Sequence, residues 1–208
     1  TEAEHIAVVA ERNAQKFVCL MATNQVNYAS IETIAREPLA KINCDNTVTV
    51  AVNSAPSHIG ELGLLPYFAV LRAVQSAGAL EQLLELCIEY GNTREQFGRP
   101  IGKFQAIQHA IAELASETAA TQVAGLFGCA QIDAHRAPYG AMIAKTRAGK
   151  AASRGSEIAH QVFGAIGFTD EHTLHYFTRR LWQWRSEAGS DLWSVSYTHL
   201  TLPTTLQV

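Results

Sequence analysis

The chain has 208 residues, enough to bury the core of one domain or of one and a half. A net charge of −3 and an ordinary apolar content give no nucleic-acid footprint and no acidic tail. Cys19, Cys44, Cys87 and Cys129 lie far apart without C-x-x-C spacing, which argues against a metal or redox motif and against a secreted disulfide framework. A reducing, cytoplasmic compartment is expected. No apolar run reaches the roughly 18–20 residues of a membrane span, and there is no signal peptide.

From Ile6 to about Val52 the sequence is strand-like. His5–Ala10, Lys16–Met21 and Thr47–Val52 are short runs rich in β-branched residues, with turns at Asn13-Ala14-Gln15 and Asp45-Asn46. Three or four such strands are too few to close a sandwich. Asn53 to Gly63 is a polar, Gly- and Pro-containing linker, and a domain boundary is placed there, giving residues 1–60 to a partial β domain.

Beyond Leu64 the apolar period becomes helical. Val70, Val74, Ala77, Leu80, Leu84 and Cys87 recur at threes and fours, opposite Glu81, Glu85 and Glu89. This helix is expected to end near Tyr90, with Gly91-Asn92 as its stop. A second runs from Ile101 to about Asp133. Pro138 opens a third, which carries a stripe of Ala141, Ala144, Ala148 and Ala152 and ends at Phe163-Gly164. A shorter fourth is expected after Thr169, where Asp170 and Glu171 suit an N-terminus. Short connectors make neighbours antiparallel, so the predicted fold is mainly α: an up-down four-helix bundle over residues 61–193, after the partial β domain.

One connector has more chemistry than a turn needs. In Tyr90-Gly-Asn-Thr-Arg94-Glu-Gln-Phe97-Gly98-Arg99-Pro100-Ile101-Gly102-Lys103-Phe104-Gln105, three helix breakers enclose a cation, an aromatic ring and an amide. A guanidinium beside a ring on a rigid turn suits a ligand that has both a phosphate and a flat ring. The plain alternative is a solvated Arg94 and a Phe97 that plugs the core. Other clusters say less. Arg179–Arg185 is basic and aromatic, but the chain as a whole is acidic, which argues against single-stranded nucleic acid. His172 and His175 lie three apart with no third ligand nearby, so no metal site is predicted.

Arg94-Glu-Gln-Phe97-Gly98-Arg99-Pro-Ile followed by Phe104-Gln105-Ala-Ile-Gln108-His109 resembles the helix-connecting signature of the acyl-CoA dehydrogenases. The run from about Leu64 to Trp193 is similar to their C-terminal helical domain throughout; the likeness before Leu64 is weak. The resemblance implies FAD as cofactor, with Arg94 on the pyrophosphate of a neighbouring subunit's FAD, Phe97 near the adenine and Gln105 also touching the nucleotide. It further implies that Gln161 and Gly164, in Gln161-Val-Phe-Gly164-Ala-Ile-Gly167, contact the same FAD; Ala165 stands where a second glycine is common, and its methyl narrows that space. The family's base is a glutamate in a Tyr-Glu-Gly-Thr-like turn, and Glu187 in Ser186-Glu187-Ala-Gly189-Ser190 falls near it, without the tyrosine and with the glycine displaced by one. The family's other location for a base is filled here by Pro66-Tyr-Phe68, which has no carboxylate.

The implied reaction is α,β-dehydrogenation of an acyl-CoA thioester: a carboxylate takes the α-proton while a hydride leaves the β-carbon for the flavin. The implied partners are the acyl-CoA substrate, further subunits in a homo- or hetero-oligomeric dimer of dimers, and an electron-transfer acceptor protein. Two other readings stand beside it, a non-catalytic, FAD-completing subunit of a heteromeric dehydrogenase and a helical interaction module without flavin. The start at Thr1 and the missing family regions lead us to expect a fragment with little activity alone. Residues 194–208 have no helical period and read like a translated sequencing adapter, an artefactual tail.

Overall fold

The architecture is that of a computed structural model, which describes residues 3–189. The chain divides into two compact units, one up to Leu64 and one from Leu65 onward.

The first unit is antiparallel sheet. Strands β1 (His5–Arg12) and β2 (Gln15–Ala22) form a hairpin whose two loop residues, Asn13 and Ala14, both have positive φ. That is the backbone a tight two-residue hairpin needs to match strand twist. Strand β5 (Thr49–Ser54) adds to the other edge of β2, giving the order β1-β2-β5. A separate hairpin joins β3 (Asn27–Ile31) to β4 (Leu39–Asn43). Among the described residues of this unit, five strands therefore stand where three or four were expected. The β3–β4 pair escaped the sequence reading because every residue in it is exposed, so no buried face imposes a period of two. Met21 and Val26 are buried here, while Tyr28, Ile31, Leu39, Ile42, Val50 and Val52 are open.

The second unit is an antiparallel up-down four-helix bundle: α1 (Leu65–Thr93), α2 (Gln105–Asp133), α3 (Ala137–Phe163) and α4 (Leu174–Ser186). Its main core joins Leu80, Leu83 and Cys87 of α1, Leu114 of α2, Ile158 and Val162 of α3, and Leu174, Leu181 and Trp184 of α4. Each such apolar side chain contributes roughly 1.5–3 kcal/mol. The alanine stripe of α3 is buried as well, at Ala141, Ala144, Ala148 and Ala152. No helix among the described residues is long and apolar enough to cross a membrane.

Three helix ends differ from expectation. Helix α2 begins at Gln105 rather than Ile101, because Ile101–Lys103 forms a separate 3-10 turn. Helix α1 does not stop at Gly91; it runs on to Thr93, and Gly91 is buried. A side chain on Gly102 would meet the Gly91 carbonyl oxygen at 2.9 Å, so this glycine pair lets the connector cross the helix closely. Helix α4 starts at Leu174 rather than just after Thr169. A 3-10 turn over Gly164–Phe168 and a bend occupy the interval, and the His172 ring accepts the Leu174 N–H at 3.1 Å. The residues assigned to an artefactual tail lie outside the described residues.

Candidate functional site

The connector between α1 and α2 is a miniature hairpin. Strands β6 (Glu95–Gln96) and β7 (Arg99–Pro100) pair, and the loop between them is Phe97-Gly98. Both loop residues have positive φ, 54° and 78°. Glycine adopts this freely; a phenylalanine there is uncommon and costs about 1–2 kcal/mol. The turn leaves the Phe97 ring 90% exposed, edge-on to Phe104 with ring centroids 6.1 Å apart. Arg99 lies over the other ring, its guanidinium 4.2 Å from the Phe104 centroid.

Arg94 is held at the root of this hairpin. Its N–H donates to Tyr90 (2.9 Å) and its carbonyl accepts from Ile101 (2.8 Å). Gln108 donates to the Gly102 carbonyl at 3.0 Å, tying the connector to α2. The backbone is therefore fixed, while among the described residues the Arg94 guanidinium has no ion pair or hydrogen bond.

Opposite stands the end of α3. Helix α3 closes on Gly164, whose φ of 62° and ψ of −139° suit glycine almost alone. The two turns enclose a groove of about 580 Å³. Arg94, Gln96 and Phe97 line one side, Gln161, Gly164 and Ala165 the other, and Tyr90 and Phe163 also line it, stacked at 4.4 Å. Among the described residues Arg94 is the charged one in its lining. An arginine with no ion pair among the described residues, two amides and several aromatic faces suit an anionic ligand that carries a flat ring.

The groove thus brings together four of the residues assigned to the cofactor: Arg94, Phe97, Gln161 and Gly164. Gln105, the first residue of α2, is exposed and outside the lining. Gly167, three residues after Gly164, is a packing glycine; a Cβ there would lie 2.9 Å from both Leu174 and Phe163. Tyr90 and Phe163 were not singled out in the sequence, where an aromatic at a helix end reads as core.

Glu187 lies elsewhere, at the last turn of α4. Its Oε1 accepts from Gln183 at 2.7 Å, and its Oε2 lies 2.5 Å from Arg72 Nε on α1. The second approach is off the N–H axis, so it is a charge contact rather than a directed hydrogen bond. Arg72 is caged in turn: it donates to Gln75 at 2.8 Å and sits over the rings of Phe68 (4.9 Å) and Trp184 (5.4 Å). From Arg72 to Tyr90 is eighteen residues of one helix, about 27 Å at 1.5 Å per residue, so Glu187 and the groove lie towards opposite ends of the bundle.

The remaining perturbed groups have structural explanations. Burial pushes the Cys87 thiol up to about 12, which makes it inert. Arg154 grips Glu113 with two hydrogen bonds and holds its carboxyl below the usual range. His172 and His175 are engaged locally, His172 capping α4 and His175 contacting the His172 carbonyl at 2.7 Å.

The sequence pattern of the family described as "Acyl-CoA dehydrogenase, C-terminal domain" matches residues 64–191, well over half of the chain. The chain belongs to the acyl-CoA dehydrogenase family. It is 36% identical over 119 residues to acyl-CoA dehydrogenase IpdE2 of Mycobacterium tuberculosis, covering 57% of this chain and 36% of that protein. It is 34% identical over 119 residues to the glutaryl-CoA dehydrogenase of Desulfococcus multivorans, covering 56% of this chain and 31% of that one. Among solved structures, the ChsE4-ChsE5 complex from Mycobacterium tuberculosis superimposes with a TM-score of 0.82 at 22% identity, over 98% of this chain and 56% of that one. At that identity the likeness establishes the fold. The chain spans only about a third of the length of these two relatives.

Proposed function

We propose that the chain takes part in FAD-dependent α,β-dehydrogenation of an acyl-CoA thioester, gripping the cofactor of an adjacent protomer with its groove and offering Glu187 as the base. The observation that carries this reading is the groove itself. It gathers Arg94 and Phe97 with Gln161 and Gly164 beside the stacked rings of Tyr90 and Phe163. The residues present fit FAD: Arg94 suits its pyrophosphate, the exposed Phe97 ring suits the adenine, and Gln161 and the side-chain-free Gly164 allow close approach. Separation supports the adjacent-protomer assignment. The groove and Glu187 are farther apart along the bundle than the pyrophosphate and the reactive ring of one dinucleotide.

Bound FAD supplies the acceptor for the hydride that leaves the β-carbon. The chain's own residues handle the proton. Glu187 takes it from the α-carbon through Oε2, which first parts from Arg72; Gln183 keeps the carboxylate oriented through Oε1. Hydrogen bonds to the thioester carbonyl stabilise the enolate that develops as this weakly acidic α-proton leaves. Further subunits, in a homo- or hetero-oligomer built as a dimer of dimers, and an electron-transfer acceptor protein complete the cycle. The compartment is the cytoplasm.

The test is acyl-CoA-dependent dye reduction with added FAD. We expect turnover by the complete protein that contains this chain and little by residues 1–208 alone. A complete protein that binds no FAD overturns the reading. The full pairing of Glu187 favours one second reading, a non-catalytic subunit that completes a partner's FAD site. Turnover that survives Glu187→Gln with flavin retained supports it.

A further inference from the structure

Helix α3 buries a charge inside its alanine stripe. Lys145 lies between Ala144 and Ala148 and is only 2% exposed. A lysine stem packs well among small residues, but its ammonium is costly to bury unless something receives it. Here Nζ donates at 2.7 Å to the carbonyl oxygen of Arg185, across the bundle in the last turn of α4. The last carbonyls of a helix lack intrahelical donors and carry the negative end of its dipole, so a buried cation is well matched there.

Arg185 stands two residues before Glu187. The chain leaves α4 at that point: Glu187 N–H still donates to Gln183 at 3.2 Å, and Ala188 and Gly189 then take φ of 56° and 97°. The anchor therefore fixes the backbone from which the Glu187 side chain departs. Arg72 and Gln183 hold the carboxylate itself.

We propose that Lys145 is a positioning residue for α-proton removal, its buried ammonium locking the end of α4 so that Glu187 is aimed at the substrate. The proton passes from the α-carbon to a Glu187 oxygen, and Lys145 neither gives nor takes one. The inference rests on reading Glu187 as the base.

The test uses Lys145→Met, which keeps the length and removes the charge, in the complete protein loaded with FAD. Readouts are kcat, KM, FAD affinity and exchange of substrate α-protons with D2O. We expect kcat and the exchange rate to fall at least about tenfold, with KM and FAD affinity changed less than about threefold, because the groove lies towards the other end of the bundle. If the methionine variant does not fold, Lys145→Gln, which stays polar but is one atom too short to keep the bond to the Arg185 carbonyl, is read for the same split between kcat and KM. Loss of stability alone, with kcat per bound flavin unchanged, overturns the proposal and leaves Lys145 a packing residue. Glu187→Gln separates the two failures. Exchange that survives Glu187→Gln removes the base reading, whereas exchange lost in Glu187→Gln but intact in Lys145→Met removes the Lys145 proposal only.

Discussion

Where α1 gives way to α2, polar side chains are left open on a pinned backbone; where α4 stops, they are tied to one another. Arg94 has both main-chain groups bonded and, among the described residues, its guanidinium unpaired, and Phe97 is held on a positive-φ turn with its ring exposed. Glu187 has both carboxylate oxygens engaged, and its partner Arg72 is itself held by an amide and two rings. The difference separates two tasks. A site that receives a large ligand gains from free donors already in place. A side chain that performs a proton transfer gains from being aimed beforehand, even when it must release a neighbour to act.

Mutations at the two ends should therefore have separable effects. The largest is expected at the closed end: Glu187→Gln lowers kcat by about 10²–10⁴-fold while leaving FAD affinity unchanged, as measured by single-turnover flavin reduction beside a binding titration. Next is the open end. Arg94→Met removes charge-assisted bonds of about 1.5–3 kcal/mol and should weaken FAD binding about 10–100-fold, with kcat at saturating FAD nearly constant. An equal loss of kcat in that variant would break the separation.

Phe97→Gly sharpens the same contrast through stability. Relieving a strained aromatic turn should raise unfolding stability by about 1 kcal/mol and weaken FAD binding at the same time, the trade expected where strain serves a ligand. Chemical denaturation and the binding titration together read it.

The smallest effect concerns His160, whose ring stacks with Phe168 (4.5 Å) and Trp182 (5.7 Å) and whose two buried nitrogens have no hydrogen-bond partner among the described residues. Burial holds it below the ordinary value of 6.5. Below that value the unfolded chain binds more protons than the folded one, so stability falls as pH drops through it until the folded group also protonates. His160→Phe keeps the stack and removes this dependence. The variant should lose less denaturation midpoint than the parent between about pH 7 and pH 5.

The sequence showed some of this and hid the rest for physical reasons. Helices α1, α2 and α3 are legible because their apolar residues keep a period near 3.6 for more than 25 residues each. Their ends are harder to read. Gly91 looks like a stop but serves a close crossing by Gly102, and the His172 cap of α4 has no sequence signature. Arg94 and Phe97 stood out because a plain turn needs neither. Tyr90 and Phe163 did not, since an aromatic at a helix end looks the same whether it faces a core or a groove. The Arg72–Glu187 pair and the Lys145 anchor join residues far apart in the chain, which no local pattern encodes.

The most direct measurement is a crystal structure of the assembled protein with FAD. Pyrophosphate oxygens are expected within hydrogen-bond distance of Arg94 from one protomer, with the flavin ring beside Glu187 of another. An Arg94 turned to solvent, or one chain meeting both the pyrophosphate and the ring of the same FAD, would contradict that arrangement.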